Sequence, residues 1–146
     1  MRKSVLAVFD IEGTLPESKD GHNKELYQSL FSVLNEIGEK RAADEVLFTL
    51  SSTADKEKVL EKLNDLIPYM GGTIITPSIQ YSGTESFDAF GNPVSEYPKN
   101  TPKTDLLKQQ VGFLEAEDHQ VSDVMIWVKC ILLIISMMLI KASKLR

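Results

Sequence analysis

The stretch Val5-Leu6-Ala7-Val8-Phe9-Asp10-Ile11-Glu12-Gly13-Thr14 sets an unbroken apolar run directly against two acids. Five consecutive apolar residues rich in β-formers predict a short strand buried on both faces, as in a parallel sheet. Asp10 marks its end. In open α/β sheets reactive groups gather at the carboxyl ends of strands. Glu12, two residues on, points the same way if the extended geometry continues. Gly13 permits a tight turn, and Thr14 adds a hydroxyl and a backbone N–H.

Working outward, Asn23 to Glu39 carries Leu26, Leu30, Phe31, Leu34 and Ile37 at helical spacing, with Gly38 as the expected stop. Glu45 to Leu50 reads as a second buried strand. Asp55 to Ile67 places Val59, Leu60, Leu63, Leu66 and Ile67 on one helical face. Ser52 with Asp55 three residues later resembles a capping box. Thr73-Ile74-Ile75-Thr76 reads as a third strand. Strand, helix, strand, helix, strand predicts an α/β fold: a parallel, Rossmann-like sheet with helices on both faces. Residues 77–102, broken by glycines and prolines, read as a long loop or small insertion.

With 146 residues, 42% hydrophobic and 25% charged, the chain has room for one packed domain. A formal charge of −5 favours no general nucleic-acid partner. The single cysteine, Cys130, excludes an internal disulfide and a multi-cysteine zinc site, and reads as packing. The apolar run after the basic N-terminus is too short for a signal core, which makes a cytoplasmic location the expectation.

Two carboxylates at one strand end can divide a phosphotransfer between them. Asp10 can attack phosphorus, while Glu12 protonates the leaving oxygen and later activates water. Mg²⁺ suits such a site. Val-Leu-Ala-Val-Phe-Asp-Ile-Glu-Gly-Thr-Leu resembles the first motif of the haloacid dehalogenase-like (HAD) hydrolases, an apolar strand followed by Asp-x-Asp-x-Thr/Val. Most family phosphatases have Asp at the second acidic position. Glu12 has a precedent in the enolase-phosphatases of methionine salvage, which carry Asp-Ile-Glu-Gly-Thr; the rest of this chain does not otherwise look like them.

The resemblance implies further residues. A Ser or Thr at the end of the next strand would contact the phosphoryl group, and Ser51 holds that place, with Ser52 beside it. Gly13 and Thr14 would shape the phosphate-facing loop. A lysine would neutralise charge; Lys103 is the first candidate, with Lys99 and Lys108 competing. An acidic motif after a strand would hold Mg²⁺ together with Asp10 and Glu12. Glu117 to Asp123 has the spacing, which nominates Asp118 and Asp123, with Val111-Gly112-Phe113-Leu114 as the preceding strand. The implied activity is Mg²⁺-dependent hydrolysis of a small phosphomonoester through an aspartyl phosphate, without a large cap domain. The same acids also resemble the DEDD-type 3′–5′ exonucleases, in which two metals act and in which Asp88, His119 and Asp123 would be enlisted. A non-catalytic interaction domain on the same scaffold is a third class.

Residues 1–123 are expected to form the α/β domain, and 124–146 an apolar C-terminal segment. Val124 to Ile140 is interrupted only by Lys129 and Ser136. It can be read as a membrane tail at the low edge of spanning length. The alternative, a core helix from Ser122 to Lys129 and a buried strand from Cys130 to Ile135, fits the charge asymmetry better. The same surface could serve a homo-oligomer interface.

Overall fold

The computed structural model describes residues 2–11, 15, 24–71, 75–77, 79–82 and 85–127. The elements are β1 (Arg2–Phe9), α1 (Lys24–Lys40), β2 (Glu45–Ser52), α2 (Lys56–Leu66), a 3₁₀ turn (Ile67–Tyr69), β3 (Ile75–Pro77), β4 (Gln80–Ser82), β5 (Glu85–Phe87), β6 (Pro93–Glu96), α3 (Lys103–Ala116) and β7 (His119–Trp127). This is an α/β fold. The sheet runs β6-β5-β4-β2-β1-β7, with β3 also paired to β2.

The apolar run of β1 is buried on both faces, as a central parallel strand requires. One face carries Val5, Ala7, Phe9, Val46, Phe48 and Leu50 against α1 and α2. There Leu30, Phe31 and Leu34 of α1 meet Val59, Leu63 and Leu66 of α2. Leu6, Val8 and Leu47 face the other way, against Leu107, Val111 and Leu114 of α3. Helices thus cover both faces. The chain steps outward from β1 to β2 to β3 with its helices on one face, then returns to the far side of β1 with α3 on the other. Reversing direction and face together keeps the crossovers of one hand.

The sheet is mixed, not wholly parallel. β5 pairs antiparallel with both β4 and β6, so β5 alone runs against the rest. The stretch 77–102 is therefore a strand and a hairpin more than a loop. The hairpin turn is built on Asp88, whose Oδ1 accepts from the backbone N–H of Phe90 and of Asn92, both at 2.9 Å. Gly91 sits at φ 87°, where a side chain would be strained. Pro93 opens the edge strand β6, a position where no ladder N–H is needed.

β3 and β4 lie in line along β2. Val46 faces Ile75, but Ser51 faces Tyr81, so one extra residue enters between them. The buried side chain of Gln80 repairs the interruption. Its Oε1 accepts from Leu50 N at 2.6 Å, and its Nε2 donates to Phe48 O at 3.4 Å. Replacing Gln80 with leucine strands the Leu50 N–H and is expected to cost about 1–3 kcal/mol, measured as a shift in the urea midpoint.

Helix α1 runs through Gly38, the expected stop, and ends two residues later. Ala42 N donates to Glu39 O and Ala43 N to Gly38 O, a Schellman pattern with Ala42 in the glycine position at φ 52°. Ala42→Gly should therefore stabilise the fold by about 0.5–1 kcal/mol, read from thermal unfolding. The capping box does not form either. Asp55 is the N-cap of α2 and makes no side-chain cap bond, while buried Ser52 belongs to β2 and its Oγ accepts from Ala54 N at 3.0 Å.

Two further expectations are corrected. Val111 to Leu114 lies inside α3, where it supplies the apolar stripe facing Leu47. The expected helix from Ser122 overlaps a strand, because β7 runs from His119 to Trp127 beside β1. That pairing also carries the sheet across the expected boundary at 123/124. Asp123 pairs with Val5 through a bulge, and Val124 and Ile126 are exposed. The expected strand from Cys130 to Ile135, and the rest of the apolar run after Trp127, lie outside the described residues. No helix among the described residues is long and apolar enough to cross a membrane.

Candidate phosphoryl site at the carboxyl end of the sheet

Asp10 follows the last residue of β1, at the point where the chain steps to β2 on one side and β7 on the other. That reversal of strand order opens a crevice in a sheet of this kind. The carboxylate is held on two sides. Its Oδ1 accepts from Ile11 N at 2.8 Å, and its Oδ2 lies 3.7 Å from the Lys103 Nζ. Lys103 is the first residue of α3, directly after the N-cap Pro102, whose fixed backbone favours a helix start. α3 crosses the sheet beneath β1 and β2, so its first turn arrives at their carboxyl ends.

Ser51 completes the group from the end of β2. It lines a narrow cleft with Asp10, Lys103, Tyr81, Leu106 and Gln110. A second, wider cleft of about 820 Å³ shares Ser51, Tyr81, Lys103 and Leu106 with the first. It opens between the Ser52 to Glu57 turn and the chain leaving β6, with Glu85, Tyr97, Lys99 and Thr101 on its walls. Such a volume suits a small-molecule ligand.

The walls are fixed by buried polar contacts. Tyr81 packs on Tyr97 with ring centroids 6.0 Å apart. Tyr81 Oη donates to Leu106 O at 3.2 Å, and Tyr97 Oη to Glu85 O at 3.1 Å. Burial pushes both hydroxyls up, Tyr97 to about 12 with the Glu85 charge adding to it. Both stay protonated donors at neutral pH. Gln110 is fully buried, and its Nε2 donates to Ile79 O at 2.7 Å and bonds Thr49 Oγ1, which itself donates to Ile79 O at 2.6 Å. This ties α3 to the strands and so fixes the height of Lys103 over Asp10.

The structure thus unites Asp10, Ser51 and Lys103. Ser52 lines the wider cleft, with its hydroxyl engaged by the turn. Lys99 also lines that cleft, while Lys108 is an exposed residue farther along α3 and lines neither. Glu12, Gly13 and Thr14 lie outside the described residues. Tyr81, Tyr97 and Gln110 were not legible as site residues in the sequence. The one available hint was Gln80-Tyr81-Ser82, a β-forming triplet inside a stretch otherwise rich in turn formers.

The expected metal acids are not part of this group. Asp118 precedes β7, and its carbonyl accepts from Arg2 N at the opposite end of the sheet. The length of β1, roughly 25 Å, separates it from Asp10. Asp123 lies midway along β7, on the α1 face, and pairs with Arg41 at 2.9 Å. The cause is the strand assignment. Asp118 leads into β7 and Asp123 lies within it, whereas the motif of the resemblance would follow a strand. Among the described residues no group of three His, Cys, Asp or Glu could hold a metal ion. Of the Mg²⁺ set that the resemblance implies, Asp118 and Asp123 thus lie away from Asp10, and Glu12 lies outside the described residues.

The residues of the exonuclease reading are also dispersed. Asp88 is spent on its hairpin turn. Desolvation pushes its carboxyl up, but the bonds from Asn92, Phe90 and Gly91 outweigh this and hold it below the ordinary value. His119 Nδ1 bonds the buried Glu45 Oε1 at the amino end of the sheet, where Ser4 Oγ donates to the same oxygen at 2.9 Å. Neither residue lines the clefts around Asp10.

No family model matches the chain, and no curated protein or solved structure matches it.

Proposed function

We propose that the chain hydrolyses a phosphomonoester through a phosphorylated Asp10. The observation that carries this reading is the Lys103 ammonium 3.7 Å from the Asp10 carboxylate, beside Ser51, at the point of the sheet where strand order reverses. The HAD-like sequence around Asp10 supports it. The wider cleft would receive the leaving group.

In the first step an Asp10 carboxylate oxygen attacks phosphorus. The bond from phosphorus to the ester oxygen breaks, and that oxygen takes a proton from Glu12, the acid of the sequence motif. Lys103 offsets the negative charge shared by nucleophile and phosphoryl oxygens, and the Ser51 hydroxyl donates to one of them. In the second step Glu12 takes a proton from water. The water oxygen bonds phosphorus, the acyl phosphate bond breaks, and free phosphate leaves with Asp10 restored. The bond from Ile11 N holds the carboxylate in place between the two steps.

The test is phosphate release from a panel of small phosphomonoesters, run beside a single-stranded oligonucleotide. Phosphate release without shortening of the oligonucleotide is expected; shortening would replace this reading with nuclease chemistry. Lys103→Ala should lower kcat/KM by about a hundredfold, since it removes the cation aimed at developing charge. An unchanged value would remove Lys103 from the site. The pair it makes with Asp10 is half-exposed, so folding stability should change by less than about 1 kcal/mol.

A further inference from the structure

A separate cleft of about 580 Å³ lies at the amino end of the sheet, where Arg2, Glu45 and His119 begin β1, β2 and β7. It opens between the last turn of α3 and the tip of the β5–β6 hairpin. We propose that this cleft binds a small organic carboxylate with an aromatic or branched apolar body.

The polar end is built on Glu45. Ser4 faces Glu45 across β1 and β2, and Arg2 faces His119 across β1 and β7, so three strands bring these side chains together. The buried Glu45 Oε1 is bonded by His119 Nδ1 and accepts from the Ser4 hydroxyl at 2.9 Å. Arg2 Nη1 lies 3.6 Å from Oε2, within ion-pair range but too far for a hydrogen bond. The guanidinium therefore keeps its planar fork of N–H donors for a ligand, and a carboxylate matches that fork. With Nδ1 committed to Glu45, the protonated His119 ring offers Nε2–H to a ligand oxygen. Both residues line the cleft, with the buried carboxylate behind them as counter-charge.

The acceptors at this end are engaged, which favours a ligand that brings acceptors of its own. Asp88 takes three bonds from its own hairpin turn. At the end of α3, Leu114 O and Glu115 O accept from Glu117 N and Asp118 N at 3.0 and 3.2 Å. Glu117 stands exposed at the rim, where solvent and salt screen its charge. The rest of the wall is apolar, with Leu47 and Ile79 from the sheet side, Phe113 from α3 and Val94 from β6. Phe90 completes it from the hairpin tip. It is 90% exposed, and its backbone is fixed by the bond to Asp88. Removing such a ring from water against an apolar ligand is favourable, and holding it on a rigid turn lowers the ordering cost of binding.

The experiment titrates the full chain by calorimetry with phenylacetate and isocaproate. Phenethylamine, which carries the ring on an ammonium group, and acetate, the head without a body, serve as comparisons. Both apolar carboxylates are expected to saturate, at least about tenfold tighter than phenethylamine or acetate. Arg2→Met should weaken phenylacetate at least about tenfold, and Phe90→Ser at least about threefold. Both side chains are largely exposed, so melting should move little. Lys103→Met should leave the affinity within about twofold, since Lys103 belongs to the clefts at the other end of the sheet. The proposal is overturned if neither apolar carboxylate saturates below about 20 mM, or if phenethylamine or acetate binds as tightly as they do. It is equally overturned if Arg2→Met or Phe90→Ser leaves the affinity unchanged, or if Lys103→Met abolishes binding, which would assign the carboxylate to the centre at Asp10.

Discussion

Asp10→Asn is expected to lower the rate of phosphate release at least about a thousandfold while leaving the fold in place. Asparagine preserves the size of the side chain, and its amide oxygen can still accept from Ile11 N, the bond measured at 2.8 Å. What it loses is the nucleophilic charge and the pair with Lys103. Because that pair is well solvated, thermal unfolding should move little, by less than about 1 kcal/mol. Turnover, hydroxylamine-labile phosphate on the acid-quenched protein after mixing with substrate, and the melting curve would be followed together. Wild-type protein should trap label on Asp10 and the variant none. Turnover that survives the substitution would show that the hydrolysis belongs to another group or another protein.

Phe48→Ala is the corresponding prediction for the fold, with a cost of about 3–5 kcal/mol. Phe48 is fully buried in β2, the strand that pairs on both sides. Its ring stacks on Phe9 at 5.1 Å and meets Phe31 of α1 edge-on at 5.4 Å. Removing it leaves a cavity where β1, β2 and α1 meet, and aromatic contacts add to the lost burial. A domain of this size is stable by roughly 5–15 kcal/mol, so the loss is a large share of the total. The urea midpoint should fall sharply with little change in slope. Ile67→Ala serves as the comparison, because Ile67 is 42% exposed and should be close to neutral. A Phe48 variant that shifts no more than the Ile67 variant would mean that this cluster does not anchor the sheet.

The two expectations share a cause. Phe9 ends the buried part of β1 and Asp10 begins its solvent-facing tip. The Phe9 to Phe48 stack therefore sets the position of the carboxylate. A partial loss of activity in Phe48→Ala beyond the unfolded fraction would report that coupling.

Much of the scaffold was legible in the residues. Consecutive apolar residues in β1 and β2 can be satisfied only by cover on two faces, and that cover is what α1, α2 and α3 provide. The helices α1 and α2 were legible because their apolar residues recur at a helical interval. The hairpin between β4 and β6 was not, since its strands are three or four residues long and polar residues break any alternation. Strand β7 was misread for a related reason. His119 to Trp127 alternates only loosely, and the bulge opposite Ser4 and Val5 moves its register by one. Reading Val111 to Leu114 as the strand places Asp118 and Asp123 beyond a strand end, whereas that stretch is helical and the strand begins only at His119.

The sequence by itself determined that Asp10 ends a buried strand, because a charged residue directly after five apolar ones must leave the core. It also placed Ser51 at the carboxyl end of the next one, which runs one residue further, to Ser52. Which lysine would meet Asp10 was decided by the tertiary structure alone. Lys99, Lys103 and Lys108 are equivalent in local chemistry, and the choice among them follows from where α3 begins and how Gln110 holds it against Ile79 O. The same is true of the places taken by Asp118 and Asp123. A carboxylate serves a site at one end of a sheet only if its strand runs toward that end, and strand direction and register are properties of the assembled sheet.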